Sequence, residues 1–247
     1  MGRHPQPSNG KGSLKNLQVL VNKNQQLIDG YIKSSFCDLV NQDINWTSPL
    51  ENDQFSEYRD NTFLLQVGLN AKLIDLYSFW PKIGPQWDAL AKTEKGHVIL
   101  VEAKAHIPEI VSPACSATPM SKKLIDTSLN ATKKHLNITN NIDWSGKFYQ
   151  YTNRLAHLYF LRVKCKIPTF LINIYFIGDK TVNGPNTRQE WEGALKVMYT
   201  YLGLSRHKLS KYIKDIFIDI NDMRFNNCQN IQTINLNPII KIKKNIN

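Results

Sequence analysis

The chain has 247 residues, 42% of them hydrophobic, and a formal net charge of +11 from 31 Lys and Arg against 20 Asp and Glu. That length supports one sizeable domain with its own core and argues against two small ones. The basic excess favours a polyanionic partner, although a chain rich in Asn, Lys and Ile together gives charge only modest weight. Cys37, Cys115, Cys165 and Cys228 are widely spaced, with no Cys-x-x-Cys pair and no His at zinc-site spacing, which disfavours a disulfide scaffold and a zinc module.

Residues 1–13 are rich in Gly, Pro, Ser and Lys and are expected to form a flexible lead, with no signal peptide. No stretch reaches the roughly 18 unbroken apolar residues of a membrane span. A reduced, cytoplasmic setting without a membrane partner is the expectation. From Leu14 the apolar residues Leu17, Leu20, Val21, Leu27, Ile28, Ile32, Phe36 and Leu39 recur at helical spacing, predicting a helical N-terminal extension over 14–50 with Gly30 as a candidate break. Residues 41–61 are polar and read as a surface connection. Residues 57–77 read as a helix with Phe63, Leu64, Val67, Ile74 and Leu76 inward, and Ser78-Phe79-Trp80 as a short first strand.

The stretch GPQWDALAKTEKGHVILVEAKAH, residues 84–106, organises the rest. It reads as a hairpin: a strand over Gln86–Ala91, a turn at Glu94-Lys95-Gly96 and a strong strand from His97 to His106. Gly in the last, left-handed position of a three-residue loop centres the pairing on Lys95, so residues equidistant from Lys95 face each other. Asp88 then lies opposite Glu102, with Cβ atoms about 4.5–5.5 Å apart, and Lys104 lies two residues further along the same face. Ile99, Val101, Ala103 and Ala105 face the other way, small and apolar enough to take a helix. Two like charges this close call for a cation between them, and oxygen donors of this kind suit Mg²⁺ or Mn²⁺. A one-residue slip of register would destroy the arrangement.

Further on, Ser121–Leu136 reads as a helix carrying Lys122, Lys123, Lys133 and Lys134, candidates for phosphate contacts. A long helix from Ser145 to Cys165 has a wide apolar surface and a polar stripe of Gln150, Asn153, Arg154 and His157. Thr169–Ile177 is a nearly continuous apolar run bounded by Pro168 and Gly178, which predicts a central strand covered on both faces and parallel to an earlier one. A helix over Thr187–Leu202 closed by Gly203 and a strand over Ile213–Ile220 follow. Residues 226–247 are an Asn- and Lys-rich tail, and 14–225 form a single α/β domain.

Asp88 after Pro85, then Glu102-Ala103-Lys104, resembles the PD-(D/E)xK nucleases, the restriction-endonuclease-like superfamily. No other acidic-x-Lys triplet occurs in the chain. Gln86 and Trp87, which separate Pro85 from Asp88, depart from the pattern. The resemblance implies an α/β fold with an αβββαβ core, its mixed central sheet flanked by helices. It implies a metal-dependent nuclease in which Asp88, Glu102 and the Ala103 carbonyl hold Mg²⁺ or Mn²⁺ while Lys104 orients the attacking water and stabilises its hydroxide form. It makes Glu57 or Asp75 a candidate third carboxylate and Gln150 and Arg154 candidate contacts to the metal site or substrate backbone. His106, in phase with Glu102 and Lys104, is a candidate phosphate contact or proton relay. The expected partner is nucleic acid, DNA ahead of RNA, with a homodimer among the open oligomeric states. The competing reading is a catalytically silent nucleic-acid-binding or interaction module on the same fold. An unrelated small-molecule α/β enzyme is disfavoured, because it would need a Gly-rich phosphate loop and no GxGxxG and no Walker-type loop occurs.

Overall fold

The computed structural model describes residues 2–225. In chain order the strands are β1 (Arg3–His4), β2 (Ile44–Ser48), β3 (Glu57–Tyr58), β4 (Ala89–Thr93), β5 (Val98–Lys104), β6 (Thr169–Ile177) and β7 (Ile213–Asp219). The α-helices are α1 (Gly12–Lys23), α2 (Gln25–Ser35), α3 (Asp60–Gln66), α4 (Leu73–Phe79), α5 (Pro119–Leu136), α6 (Tyr149–Tyr159), α7 (Arg188–Leu202) and α8 (Ile220–Phe225). Five strands form one mixed sheet in the order β2-β4-β5-β6-β7, antiparallel from β2 to β5 and parallel from β5 to β7. The chain is therefore an α/β protein with a mixed sheet flanked by helices. No helix among the described residues is long and apolar enough to cross a membrane.

Local chemistry explains the hairpin. Gly96 adopts φ +78°, a conformation that costs a residue with a side chain about 1–2 kcal/mol. It closes the turn with Gly96 N donating to Thr93 O at 3.0 Å and Thr93 N donating to His97 O at 3.0 Å. The resulting register pairs Ala89 with Val101, Leu90 with Leu100 and Ala91 with Ile99, centred on Lys95 as the turn requires. β6 is buried along its whole length, since helices cover both faces. At α7, the Thr187 side chain accepts from Glu190 N, and Gly203 at φ +71° ends the helix.

The sheet separates two apolar cores. On one face Ala89, Ala91, Ile99, Val101, Ala103 and Ala105 lie under Leu17, Leu20 and Val21 of α1 and Ile28 and Ile32 of α2. Four alanines in this row let α1 approach the sheet closely. On the other face Leu90, Leu100, Leu171 and Tyr175 meet Leu155 and Leu158 of α6, Trp191 and Met198 of α7, and the aromatic group Phe63, Phe79, Trp80 and Trp87. His157 sits inside that group, 4.8 Å from the Trp80 ring, and burial drives its imidazole down to about 3, so it stays neutral. Its Nδ1 donates to the Asn153 carbonyl at 2.8 Å, which makes it a core residue and not part of a solvent-facing stripe.

Several expectations are corrected. The lead is ordered: β1 pairs with β3, Arg59 N donates to Gly2 O at 2.9 Å, and α1 already begins at Gly12. The helical extension divides at Asn24, and Gly30 lies inside α2 on an open surface where a Cβ would meet nothing. The connection over 41–61 contains β2 and β3, and β2 takes the place of the short first strand expected at 78–80. Residues 78 and 79 instead finish α4, and Trp80 caps it with its N–H on Leu76 O. The 57–77 helix is two short helices, with Glu57 on a strand and Ile74 82% exposed. The helix over 145–165 starts at Tyr149, because Ser145 bonds back to Asp143 and Phe148 takes φ +62°. The tail at 226–247 lies outside the described residues.

Candidate active site

Asp88 stands one residue before β4, where the main chain turns away. Trp87 donates its N–H to Tyr58 O at 2.9 Å and no longer pairs with β5. The Ala103 N–H, which points to that side of β5, is left without a main-chain partner. Asp88 Oδ2 accepts it at 2.7 Å. Because the N–H and C=O of one strand residue project to the same side, the Ala103 carbonyl also faces the Asp88 edge. The paired register ends at Ala89 with Val101, and just beyond it Asp88 feels the charges of Glu102 and Lys104.

Glu102 is enclosed by cations. Arg154 Nε and Arg154 Nη2 both reach Glu102 Oε2 at 2.7 Å, and Lys104 Nζ reaches Glu102 Oε1 at 2.5 Å. The Glu102 and Lys104 side chains are only 9% and 14% exposed, so solvent screens these pairs weakly. Arg154 is itself locked, with Nη2 on the Gln86 carbonyl at 2.7 Å and Nη1 on Asn153 Oδ1 at 2.8 Å, and its guanidinium lies over the Trp87 ring at 5.3 Å. The planar fork of an arginine suits this multiple contact better than a lysine would.

Glu57, on β3, joins the periphery of the same group. Its Oε2 accepts from Gln86 Nε2 at 2.5 Å and from Gln6 Nε2 at 3.1 Å, so the N-terminal segment and the residue two before Asp88 hold it jointly. Burial outweighs those donors and raises Glu57 to about 7. Burial, then the neighbouring charge of Glu102, raises Asp88 well above the usual carboxylate range. Burial works against Glu102 too, but Arg154 and Lys104 overcome it and hold its carboxyl below its ordinary value. For Lys104, Glu102 and Asp88 outweigh the cost of burial and raise the ammonium, which therefore keeps its proton at neutral pH. The three acids thus differ: Glu102 is ionised, whereas Asp88 and Glu57 bind protons readily.

Among the described residues, no three His, Cys, Asp or Glu side chains enclose a site for a metal ion. Glu57 is thus near enough to shift its neighbours' titration without completing a three-side-chain cage. The donor set that remains is Asp88, Glu102 and the Ala103 carbonyl. It is all oxygen, and Mg²⁺ commonly binds through one or two carboxylates while keeping several waters. Asp88 Oδ1 carries no hydrogen bond among the described residues, and Glu102 Oε1 spends one of its two lone pairs on Lys104. Oxygens of this kind are those a hard divalent cation takes.

The other sequence candidates divide. Arg154 is central, and Gln150 is exposed at the rim of a small cavity that Glu102, Lys104 and Arg154 also line. Asp75 takes no part: it pairs with Lys72 at 3.3 Å on α4. His106 bonds Glu109, and Glu109 in turn accepts from Ser13 at 3.1 Å, so His106 joins a contact to α1. Lys122 is paired with Asp126 at 2.8 Å, and Lys133 donates to the carbonyls of Asn140 and Ile142 at 2.8 Å. Lys123 and Lys134 are exposed on α5. Sequence reasoning missed Gln6, Gln86 and Asn173. Asn173 had a signal, as the one amide in the otherwise apolar run TFLINIYFI. Gln6 and Gln86 had none, because long-range pairing of β1 with β3 brings Gln6 to Glu57 and the bridge of Trp87 to Tyr58 brings Gln86. Comparison with known proteins gives no matching family model, no matching curated protein and no matching solved structure, so the geometry of these side chains alone carries the functional reading.

Proposed function

We propose that this chain is a metal-dependent phosphodiester hydrolase acting on nucleic acid, DNA ahead of RNA, built on a restriction-endonuclease-like core. The observation that carries the reading is the convergence of Asp88 and the Ala103 main chain with Glu102 and the Lys104 ammonium from paired strands. The order of three antiparallel strands, helices α5 and α6, and then parallel β6 agrees with an αβββαβ core.

Asp88, Glu102 and the Ala103 carbonyl would hold Mg²⁺ or Mn²⁺. Such an ion, when bound, lowers the pKa of a coordinated water and offsets charge on a phosphoryl oxygen. The protein's own groups do the rest. Lys104 is protonated, so it acts as a fixed positive charge beside the phosphate and as a hydrogen-bond donor to the attacking water, not as the base. Arg154 fixes the Glu102 carboxylate in one orientation. The net charge of +11 adds non-specific attraction to a polyanion.

A second reading has its own observation. Both Glu102 oxygens are already engaged by cations, which suits a closed structural ion network in a catalytically silent module. Incubation with double- and single-stranded DNA and with RNA, plus Mg²⁺ or Mn²⁺, separates the two. The hydrolase cleaves at least one substrate and loses about 10²-fold or more in rate with Asp88→Asn or Lys104→Ala. Equal cleavage by all three proteins rejects the site, and no cleavage of any substrate favours the silent module.

A further inference from the structure

The row of polar side chains does not stop at Glu102. In the parallel register Glu102 pairs with Asn173 on β6, and Asn173 pairs with Asp215 on β7. Asn173 is only 3% exposed. Its Nδ2 donates to Asp215 Oδ1 at 2.8 Å, while Tyr199 on α7 donates its hydroxyl to Asp215 Oδ2 at 2.6 Å. This contact turns the Asn173 amide nitrogen toward Asp215. The Asn173 Oδ1 is left with no hydrogen-bond partner among the described residues.

Asn173 lines the cavity of about 20 Å³ bounded also by Lys104, Gln150, Tyr151, Arg154 and Tyr175. A cavity of that size admits one water molecule where two to four polar groups receive it. Lys104 uses one of its three N–H donors on Glu102, which leaves two for a water beside Asn173.

We propose that this cavity is an ordered-water site and that Asn173 is its positioning residue, with Asp215 and Tyr199 holding the Asn173 amide so that its oxygen faces the water beside Lys104. The water site stands on the geometry alone. That this water is the one presented to a phosphodiester rests on the hydrolase reading above.

The test is a crystal structure of the full chain at a resolution that reveals ordered water, beside the same structure of Asn173→Leu. The expected result is a water about 2.7–3.2 Å from both Asn173 Oδ1 and Lys104 Nζ, absent from the variant. An empty cavity in the unmodified chain overturns the proposal, and that density alone decides should the variant not fold. Where the unmodified chain cleaves nucleic acid, Asn173→Leu should lower kcat about 10²-fold while KM and Mn²⁺ affinity stay unchanged, and Asn173→Ser should recover part of the loss. An unchanged kcat overturns the positioning role. A chain that holds the water but cleaves nothing defeats the hydrolase reading and leaves the water site standing.

Discussion

Glu57→Gln isolates one buried proton. In the folded chain burial holds Glu57 at about 7, against an ordinary value of 4.5 that the unfolded chain recovers. Between those values the folded state carries a proton that the unfolded state has released. A group raised in this way contributes full stability below about 4.5 and loses it as pH rises through 7. At 1.36 kcal/mol per pKa unit, the loss from pH 5 to pH 8 is about 3 kcal/mol, undiminished by solvent because the residue is buried. Glutamine keeps an oxygen for the donors of Gln86 and Gln6 and cannot ionise. Urea unfolding of both proteins in metal-free buffer at pH 5 and pH 8 measures the difference, and groups common to both largely cancel. The variant should lie close to the unmodified chain at pH 5 and exceed it by about 3 kcal/mol at pH 8. A difference that stays constant across that range refutes the reasoning.

Arg154→Met strips Glu102 of its main partner inside the fold and should cost about 3–5 kcal/mol in urea unfolding, whereas adding Glu102→Gln should restore part of it. A loss under about 1 kcal/mol would mean the ion network is more solvated than its burial indicates. Mn²⁺ at a hundredfold over its Kd should stabilise the unmodified chain by about 2.7 kcal/mol in thermal unfolding and leave Asp88→Asn unmoved. Equal stabilisation of both places the cation elsewhere. Gly96→Val puts a β-branched side chain at φ +78° and should lower stability by at least about 1–2 kcal/mol, more than Gly193→Val on an open helix surface; similar losses would remove the turn as the determinant of register.

The parts of the fold that were legible are those whose information is local. The run Thr169–Ile177 matches β6 end to end, because burial on both faces removes alternation and leaves an unbroken apolar word between Pro168 and Gly178. The hairpin register followed from one glycine, since its left-handed conformation leaves a single centre of pairing. Where the signal was non-local the reading failed. Ile44–Ser48 is short and mixed in polarity, and it is a strand because the β4 edge offers it main-chain partners and a place for Ile44 and Trp46 in the α1 and α2 core. Ser78-Phe79-Trp80 is rich in strand-forming residues, yet the packing of Phe79 against Phe160 at 5.1 Å and of Trp80 against His157 keeps it with α4.

The site divides along the same line. Asp88, Glu102 and Lys104 were legible because one turn relates them, and a two-residue period then sets their common face. Arg154 was visible only as part of a stripe. The helical period could place it beside Asn153 and His157 but could not say that this stripe faces the sheet, which depends on α6 packing over β6 so that Arg154 reaches Glu102 on β5. Glu57 inverts the argument: the residue was suspected on a helix and reaches the site from a strand, through a pairing with residues expected to be loose. A buried acid raised to about 7 needs water kept away from it, and β1, laid across β3 with Gln6 on Glu57, does that here. The segment whose composition looks least structured therefore lies against the buried Glu57 and donates to it.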